Sequence, residues 1–365
     1  MAYMLSRKFK VGVIGGTGYV GQRFLSLLAD HPWFEVSVIA ASPRSAGKTY
    51  QEAVEKRWKI DEPMPNPIKS LIVESADNLE KICAEVDFVF CAVDMKKEDI
   101  RNLEEKIARL ETPVVSNNSA HRLTPDVPMI IPEINPEHAG LIDSQRRRLG
   151  TTRGFIAVKP NCSIQSYVPA LTPLLDFGLE QISACTYQAI SGAGKTFTDW
   201  PEMIENLIPY IGGEEEKSEK EPLKIWGGLG TGEIILAEKP VISAQCYRVA
   251  VQEGHTAAVS VKFTRKPARE EILSCWASFA GIPQKAGLPS APHPFLVYLP
   301  ESDRPQPRLD CLCNRGMSVT IGRLREDPIF DYKFTCLSHN TLRGAAGGAV
   351  LTAELLVHQG YLTYR

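Results

Sequence analysis

The sequence predicts an α/β protein that contains a doubly wound parallel sheet and a second α+β domain with a largely antiparallel sheet. Three observations support this fold class. Short apolar segments alternate with helical patterns over the first 160 residues, which is typical of parallel strands joined by crossover helices. Later segments alternate apolar and polar residues, as half-buried antiparallel strands do. The chain of 365 residues is also long enough for two domains, which we expect at residues 1–160, completed by a C-terminal helix at about 340–365, and at 161–339.

The elements of the first domain are short apolar strands with one well-defined helix near the start. Strands are predicted at residues 10–14, 36–41, 86–93, 113–116 and 156–158. Segment 86–93 reads VDFVFCAV, and a strand covered on both faces is expected to be apolar in this way. Apolar residues recur at the spacing of one helix face between the first two strands, which predicts a helix over 19–29.

The second domain begins with strand-like segments and ends with a small, apolar helix. Strands are predicted at residues 241–251 and 256–263, and the alternation in the latter indicates an antiparallel sheet with one buried face. Residues 282–307 contain seven prolines and are predicted to be an extended connection or a lid. Segment 344–357 predicts a closely packed helix that returns to the first domain.

Composition and charge limit the classes of partner. With 41 basic and 43 acidic residues, the formal net charge of −2 argues against broad nucleic-acid binding. No apolar run approaches the ~20 residues of a membrane helix, so we expect no membrane association. The nine cysteines include no CxxC motif, and no two histidines lie three to five residues apart near the closest cysteine pair, so we expect no metal site. They are predicted to be mostly buried thiols of a cytoplasmic protein.

A glycine-rich turn follows the first predicted strand directly. Residues 15–21 read GGTGYVG, and glycines at this spacing allow a tight turn, close approach of the backbone to a pyrophosphate and close helix–strand packing. The N–H groups at the start of the next helix then bind the phosphates. The motif predicts a Rossmann-type dinucleotide site. Its predicted cofactor-binding residues are Gly15, Thr17, Gly18, Tyr19 and Val20.

The segment after the second predicted strand distinguishes between the two nicotinamide cofactors. NAD enzymes usually carry an acidic residue there, whereas residues 40–48 read AASPRSAGK. Ser42, Arg44, Ser45 and Lys48 offer hydroxyl groups and cations that suit a ribose 2′-phosphate. The sequence therefore favours NADP over NAD, and the alternative is a solvated basic loop without a ligand.

Cys162 is the candidate covalent nucleophile. It lies in the segment KPNCS, after the strand predicted at 156–158 and before a helix-like run that starts at Ile164. At the N-terminus of a helix the macrodipole favours a thiolate. A decrease of about two units in the thiol pKa would make the thiolate the main form at neutral pH. The alternative is a buried structural cysteine.

Two further residues suit chemistry at a carbonyl group. His255 lies between a glycine and a predicted strand, and a histidine there can transfer protons near neutral pH. Arg248 lies on the preceding strand, and its guanidinium group suits bidentate binding of a carboxylate. A structural histidine and a surface ion pair are the respective alternatives.

Eight segments together resemble one enzyme family. In chain order they are GGTGYVG, SPRSAGK, SNNSAHR, KPNCS, YQAISGAG, GGEEEK, the pair CYR and EGH, and HNTLRGAAGG. Their order and spacing resemble those of aspartate-β-semialdehyde dehydrogenases, most closely the archaeal and fungal-type branch. The resemblance runs from about residue 10 to the C-terminus.

The resemblance implies NADPH-dependent reduction of β-aspartyl phosphate to aspartate β-semialdehyde and phosphate, in the biosynthesis of lysine, methionine and threonine. It implies that Cys162 is acylated to a thioester, that His255 is the acid–base catalyst and that Arg248 binds the substrate α-carboxylate. It also implies a catalytic and dimerisation role for the second domain, with assembly into a homodimer or homotetramer.

The resemblance further implies several binding residues. Arg122 and Lys217 would bind phosphate, Glu214 would bind the substrate amine, and Gln188 and Asn161 would lie beside the catalytic thiol. Which acid would bind the amine is open among Glu214, Glu215 and Glu216. The alternative for this charged segment is a solvated surface without a ligand. The residues implied at the nicotinamide side are Ser191, Gly192 and Asn340.

Three other functions remain to be compared with this one. Malonyl-CoA reductase and N-acetylglutamyl-phosphate reductase are alternatives of the same architecture. Neither requires an amine-binding acid beside a phosphate-binding lysine, so the aspartyl substrate is favoured. A nucleotide-sensing module without catalysis would have lost the cysteine or histidine motif, and both motifs are intact.

Overall fold

Six parallel strands form the first sheet of the protein in the computed structural model, which describes residues 7–365; residues 1–6 of the predicted first domain lie outside the described residues. The elements of this region are β1 (Phe9–Ile14), α1 (Tyr19–Leu28), β2 (Phe34–Ala41), α2 (Tyr50–Val54), α3 (Asn66–Lys69), β3 (Val73–Ser75), α4 (Leu79–Glu85), β4 (Phe88–Cys91), α5 (Lys97–Arg109), β5 (Val114–Ser116), α6 (Leu141–Leu149) and β6 (Ile156–Val158). The strand order is β3-β2-β1-β4-β5-β6, which is the order of a doubly wound dinucleotide-binding sheet.

A mixed sheet of seven strands dominates the second region. Its elements are α7 (Val168–Leu171), β7 (Leu179–Gln188), β8 (Leu207–Ile208), α8 (Glu214–Ile225), β9 (Gly228–Leu229), β10 (Ile234–Ile235), β11 (Val241–Val249), β12 (His255–Phe263), α9 (Arg269–Ser278), α10 (Ile282–Ala286), β13 (Leu296–Leu299), α11 (Pro307–Asp310), the distorted α12 (Cys313–Gly316), β14 (Val319–Glu326), β15 (Tyr332–Ser338) and α13 (Gly347–His358). The strand order is β13-β14-β15-β12-β7-β11-β8, and β9 and β10 form a separate two-stranded sheet.

The predicted fold class is confirmed in both sheets. Every neighbouring pair in the first sheet is parallel. In the second sheet four of the six neighbouring pairs are antiparallel, and β7–β11 and β13–β14 are parallel. Strands β11 and β12 do not pair with each other, because β7, which the sequence analysis did not identify, lies between them.

The proline-rich segment at 282–307, predicted to be an extended connection or a lid, contains two regular elements that this prediction did not include. It contains helix α10 and strand β13, which pairs with β14 at the edge of the second sheet. Pro283 stands in the first turn of α10, where its missing N–H has no helical partner to lose, and Pro294 and Pro300 flank the strand outside its ladder.

The helix predicted from Ile164 is wrong. Turns occupy residues 162–167, and α7 begins only at Val168. The Asn161 side-chain oxygen, Oδ1, accepts the Ser163 N–H at 2.7 Å, and Ser166 Oγ donates to the Ser163 backbone carbonyl at 2.7 Å. Such local hydrogen bonds compete with those of a helix, which explains the turns.

The C-terminal segment packs against the first sheet. A π-helical turn over Leu342–Ala346 precedes α13, whose residues from Gly347 to Val357 are all buried. Val350 and Leu351 share a hydrophobic cluster with Val11 and Val115 of the first sheet. Within residues 7–365, no helix has the length and apolar character to cross a membrane.

Candidate active site

Cys162 lies directly opposite His255 at the junction of the two sheets. The Cys162 Sγ to His255 Nε2 distance is 3.4 Å, and the other ring nitrogen, Nδ1, accepts the Ala189 N–H at 3.0 Å. Because a backbone amide can only donate, Nδ1 carries no proton, and the hydrogen of the neutral ring is on Nε2, which faces the sulfur. Burial, reinforced by the charge of Arg248, keeps the pKa of His255 well below its usual value. His255 is therefore a neutral donor to Cys162.

The expected decrease in the Cys162 pKa is wrong for the protein without ligands. Burial raises the pKa of this thiol, and the carboxylate of Glu214 adds to the increase. The turns over residues 162–167 replace the helix whose dipole would have lowered it. Three cations act in the opposite direction: Lys159, Arg122 and Arg248.

Helix α8 directs Glu214 toward the thiol region. Glu214 is buried and accepts from the Asn161 amide, with 3.0 Å to each carboxylate oxygen, and from Lys217 Nζ at 2.7 Å. Although burial opposes it, the Lys217 ammonium group holds the pKa of Glu214 below its usual value. Glu215 instead accepts the Cys246 N–H at 3.2 Å, and Glu216 is exposed. Of the three candidate acids, the structure places only Glu214 beside Asn161.

Arg122 is held by an acid that the sequence analysis missed. Its Nη1 donates to Glu221 at 3.0 Å, and its Nε donates to the Lys159 carbonyl at 3.0 Å. Glu221 is buried and also accepts the Asn161 N–H at 2.6 Å. Some residues of the charged segment therefore belong to one buried face of α8. Their spacing of three or four residues is a signal that could have identified this face from the sequence. These residues are Glu214, Ser218, Glu221 and Ile225.

Arg248 and Gln188 lie side by side on β11 and β7. Arg248 Nη1 donates to the Ala189 carbonyl at 2.6 Å, and the Gln188 amide donates to Glu214 at 3.3 Å. Gly192 covers both Arg248 and His255, because a Cβ built at this glycine would lie 2.9 Å from Arg248 Nη1 and 3.0 Å from His255 Cε1.

Ser191 and Asn340 belong to a network that surrounds the histidine loop. Asn340 accepts the Gly254 N–H at 2.8 Å and donates to Ser191 Oγ at 2.7 Å. Ser191 Oγ donates to Glu253 at 2.7 Å, and the Tyr19 hydroxyl donates to the same carboxylate at 2.7 Å. Glu253, which the sequence analysis also missed, thus links α1 to the loop that carries the catalytic candidate His255.

A large cavity adjoins the glycine-rich turn and continues to the thiol. It measures about 720 Å³ and is lined by Thr17, Gly18, Tyr19 and Val20 among others. A second cavity of about 100 Å³ contains Cys162, Arg122, Asn161, Ser191 and Asn340. Residues common to both linings connect the two cavities: Val20, Asn117 and Gly192.

The glycine-rich turn fits a dinucleotide. Gly15 has φ +86°, and a Cβ there would lie 2.3 Å from the Ala92 carbonyl oxygen, so only glycine fits. A Cβ on Gly18 would approach the protein no closer than 3.5 Å, to the Gly15 carbonyl oxygen, and this residue lines the cavity instead. The turn lies where the strand order reverses between β1 and β4, which is the usual dinucleotide position in such sheets.

The predicted 2′-phosphate residues follow β2, but they do not line the large cavity. Ser42, Arg44 and Lys48 are exposed, whereas Ser45 is buried and its Oγ accepts from Arg57 at 3.2 Å. Arg57 does line the cavity and connects it to this loop. The sequence analysis missed Arg57 because it follows α2, far from the strand end in sequence.

The chain is similar to known proteins over nearly its whole length. Residues 10–142 match the model for the semialdehyde dehydrogenase NAD binding domain, and residues 171–343 match the model for the semialdehyde dehydrogenase dimerisation domain. The aspartate-semialdehyde dehydrogenase of Archaeoglobus fulgidus is 41% identical over 96% of this chain and 99% of that protein. The Saccharomyces cerevisiae enzyme of the same name is 40% identical over 95% of this chain and 97% of its own.

The chain belongs to the aspartate-semialdehyde dehydrogenase family. This confirms the resemblance to the archaeal and fungal members. A crystal structure of aspartate semialdehyde dehydrogenase with NADP from Candida albicans superimposes with a TM-score of 0.85 at 36% identity, covering 97% of this chain and all of that chain.

The family assignment gives the two sheets of this dehydrogenase their general functions. The first carries the NAD binding domain, and the second carries the dimerisation domain. In the part of the chain that the structure describes, no three His, Cys, Asp or Glu side chains group as metal ligands.

Proposed function

We propose that the protein catalyses NADPH-dependent reduction of β-aspartyl phosphate to aspartate β-semialdehyde and phosphate through a thioester on Cys162. This reaction belongs to the biosynthesis of lysine, methionine and threonine. One observation carries the proposal: Cys162, whose sulfur lies 3.4 Å from His255 Nε2, lines a cavity that shares lining residues with the one at the glycine-rich turn.

The charged groups around the thiol match those of the substrate. Glu214 binds the substrate ammonium group, and Arg248 binds the α-carboxylate through its planar guanidinium group. Arg122 and Lys217 bind the phosphate that leaves. Before substrate binds, Glu214 and Lys217 neutralise each other at 2.7 Å, so a substrate that carries both charges provides a partner for each. Gln188 and Asn161 orient the Glu214 carboxylate through their amides.

The Cys162 thiol first loses its proton to water, and the thiolate then attacks the acyl carbon. The bond from that carbon to the phosphate oxygen breaks, and the leaving phosphate takes the bonding electron pair. His255 Nε2–H stabilises the sulfur before the attack and again when the thiohemiacetal collapses to aldehyde and thiolate. The cavity at Cys162 measures only about 100 Å³, and a small site of this kind limits the access of water that would hydrolyse the thioester. NADPH, when bound, supplies the hydride that the reduction requires.

The cofactor residues follow from the two cavities. Gly15 shapes the turn, and Thr17, Gly18, Tyr19 and Val20 hold the pyrophosphate and the adjoining ribose. Ser191, Gly192 and Asn340 lie at the thiol end, where the nicotinamide must reach. Ser42, Arg44, Ser45 and Lys48, with Arg57, bind the 2′-phosphate, and this cation-rich loop supports NADP over NAD.

We also propose that the second sheet joins two copies of the chain, and that a homotetramer would assemble from such dimers. On its outward face the Tyr187 and Tyr247 rings stack with centroids 6.0 Å apart, and Val241 is 66% exposed. Exposed aromatic and apolar side chains of this kind suit self-association. All nine cysteines are free thiols, which supports a cytoplasmic location.

A substrate comparison tests the proposed reaction. The purified protein is mixed with aspartate semialdehyde, phosphate and NADP, and nicotinamide absorbance is followed. We expect phosphate-dependent NADPH formation that Cys162→Ala abolishes while cofactor binding remains. Turnover of malonyl-CoA or N-acetylglutamyl phosphate with NADPH, without turnover of the aspartyl substrate, would contradict the proposal.

A further inference from the structure

A third buried cation lies beside the reactive thiol, in addition to Arg122 and Arg248, and the proposed mechanism does not use it. Lys159 is 2% exposed and lines the 100 Å³ cavity together with Cys162 and Arg122. Burying an ammonium group is costly unless it gains compensating interactions, so its position requires a reason.

The hydrogen bonds of Lys159 do not provide that reason. Its Nζ donates to the Pro160 carbonyl, the one acceptor found for it among the described residues. Lys224, which is equally buried, donates to three carbonyls, those of Arg122, Thr124 and Val127, at 2.8–2.9 Å. An ammonium group has three N–H donors, so Lys224 is fully satisfied and Lys159 is not.

Glycines of the C-terminal segment place Lys159 and Cys162 side by side. A Cβ on Gly344 would lie 2.9 Å from Cys162 Cβ, and a Cβ on Gly348 would lie 3.4 Å from Lys159 Cδ. Both glycines belong to one short stretch of chain, so the Cys162 and Lys159 side chains pack against the same segment. The missing glycine side chains permit this close approach.

The electrostatic environment couples the two groups. Burial, with the charge of Arg122, lowers the pKa of Lys159 to about 7, and Cys162 acts to raise it. Burial and Glu214 raise the pKa of Cys162, and Lys159 acts to lower it. The other charged or titratable groups that face this pair are Arg122, Glu221, Arg343, Arg248, Glu214 and His255.

We propose that the Lys159 ammonium group stabilises the Cys162 thiolate and sets the pH range in which the thiol reacts. His255 does not supply this charge, because its Nδ1 accepts the Ala189 N–H and its ring stays neutral. Lys159 is a positioning residue that acts through the sulfur, and the inference rests on the proposed role of Cys162 as the nucleophile. A thiolate at Cys162 in turn favours the ammonium form of Lys159, because Cys162 acts to raise the pKa of Lys159.

The pH dependence of Cys162 alkylation tests this inference without turnover. The whole protein is treated with iodoacetamide at several pH values, and peptide mass spectrometry measures the rate at Cys162 separately from the other thiols. In Lys159→Met we expect the midpoint to rise by about one unit, so that the rate at neutral pH falls about tenfold. Lys159→Gln keeps a donor for the Pro160 carbonyl without the charge, and it should show the same shift even if the methionine variant fails to fold.

Lys224→Met is the matched control, since it removes an equally buried lysine whose partners are backbone carbonyls. It should lower the melting temperature and leave the Cys162 midpoint unchanged. An unchanged midpoint in a folded Lys159 variant would overturn the inference, as would an equal shift in Lys224→Met. A shifted midpoint in a protein without semialdehyde activity would contradict the proposed function but support the role of Lys159.

Discussion

Glu214 and Glu216 are two residues apart on α8, and yet their surroundings are opposite. Glu214 is buried against Asn161 and Lys217, whereas Glu216 is exposed. The sequence could not distinguish them, because a run of like charges gives no sign of which carboxylate the helix turns inward. The difference arises from the rotation of the helix, about 100° per residue.

Substitution of the two glutamates by glutamine is therefore a matched pair. Glu214→Gln removes the charge that we propose binds the substrate ammonium group. A charged hydrogen bond contributes about 2 kcal/mol, so KM for aspartate semialdehyde should rise about thirtyfold. Glu216→Gln should leave KM unchanged. Steady-state kinetics of both variants check this, and equal KM values would remove Glu214 from the substrate site.

Gly192 is a second position where the identity of a single residue matters, because it lies against both Arg248 and His255. Gly192→Ala adds a methyl group 2.9 Å from Arg248 Nη1 and 3.0 Å from His255 Cε1, so both must move. Because small displacements of catalytic groups are costly, we expect kcat/KM to fall about 100-fold with little loss of secondary structure. Gly228→Ala, where no atom lies within 4 Å of the added carbon, is the control. Wild-type kinetics in Gly192→Ala would show that this contact is unimportant.

At the scale of elements, helices and strands were predicted most accurately where a single local pattern of apolar residues determines the secondary structure. The helix expected at 19–29 is Tyr19–Leu28, and the strand expected at 156–158 is Ile156–Val158. Strand β7 was missed because several polar residues interrupt its alternation, and the register of β11 against β7 depends on contacts distant in sequence. The proline-rich segment shows that prolines at the ends of elements do not prevent a helix or a strand.

A contact between two loops spans the cofactor cavity. Lys59, after α2, donates to the Gly194 carbonyl at 2.9 Å and pairs with Asp199 at 2.9 Å. The Lys59 ammonium group keeps the pKa of Asp199 below its usual value. Both Lys59 and Asp199 line the large cavity.

Removing this contact should weaken cofactor binding. A partly exposed ion pair contributes at most about 1 kcal/mol, so Lys59→Met should raise the Kd for NADP by about two- to fivefold. Lys69→Met, at the end of α3 and outside the lining of the cavity, is the control. Calorimetric titration with NADP measures both, and an unchanged Kd in Lys59→Met would show that the contact does not support the cofactor.

At the scale of the whole molecule, the C-terminal segment joins the two regions. Arg343 forms a bidentate ion pair with Glu133 at 2.7 and 2.5 Å, while Gly344 packs against Cys162 and α13 covers the first sheet. The sequence predicted the return of this helix, because its small apolar residues suit close packing. It did not predict the buried ion pair, whose partners are 210 residues apart.

The proposed dimer surface can be tested by introducing a charged side chain on it. Tyr187→Glu places a carboxylate on the outward face of the second sheet, and burial of an unpaired charge should dissociate the assembly. Ile329→Glu is the control, since Ile329 is 84% exposed in the loop between β14 and β15. Light scattering over a range of concentrations measures the mass. A Tyr187→Glu protein that retains the wild-type mass would place the interface elsewhere.

The most direct test of the account is the chemical state of Cys162 during the reaction. The protein is mixed with β-aspartyl phosphate without NADPH, quenched in acid and digested. Mass spectrometry then measures the masses of the peptides. The account predicts one aspartyl group on Cys162, which NADPH discharges as aspartate semialdehyde at the rate of turnover. An enzyme that turns over while Cys162 stays unmodified, or that carries the acyl group on another residue, would contradict it.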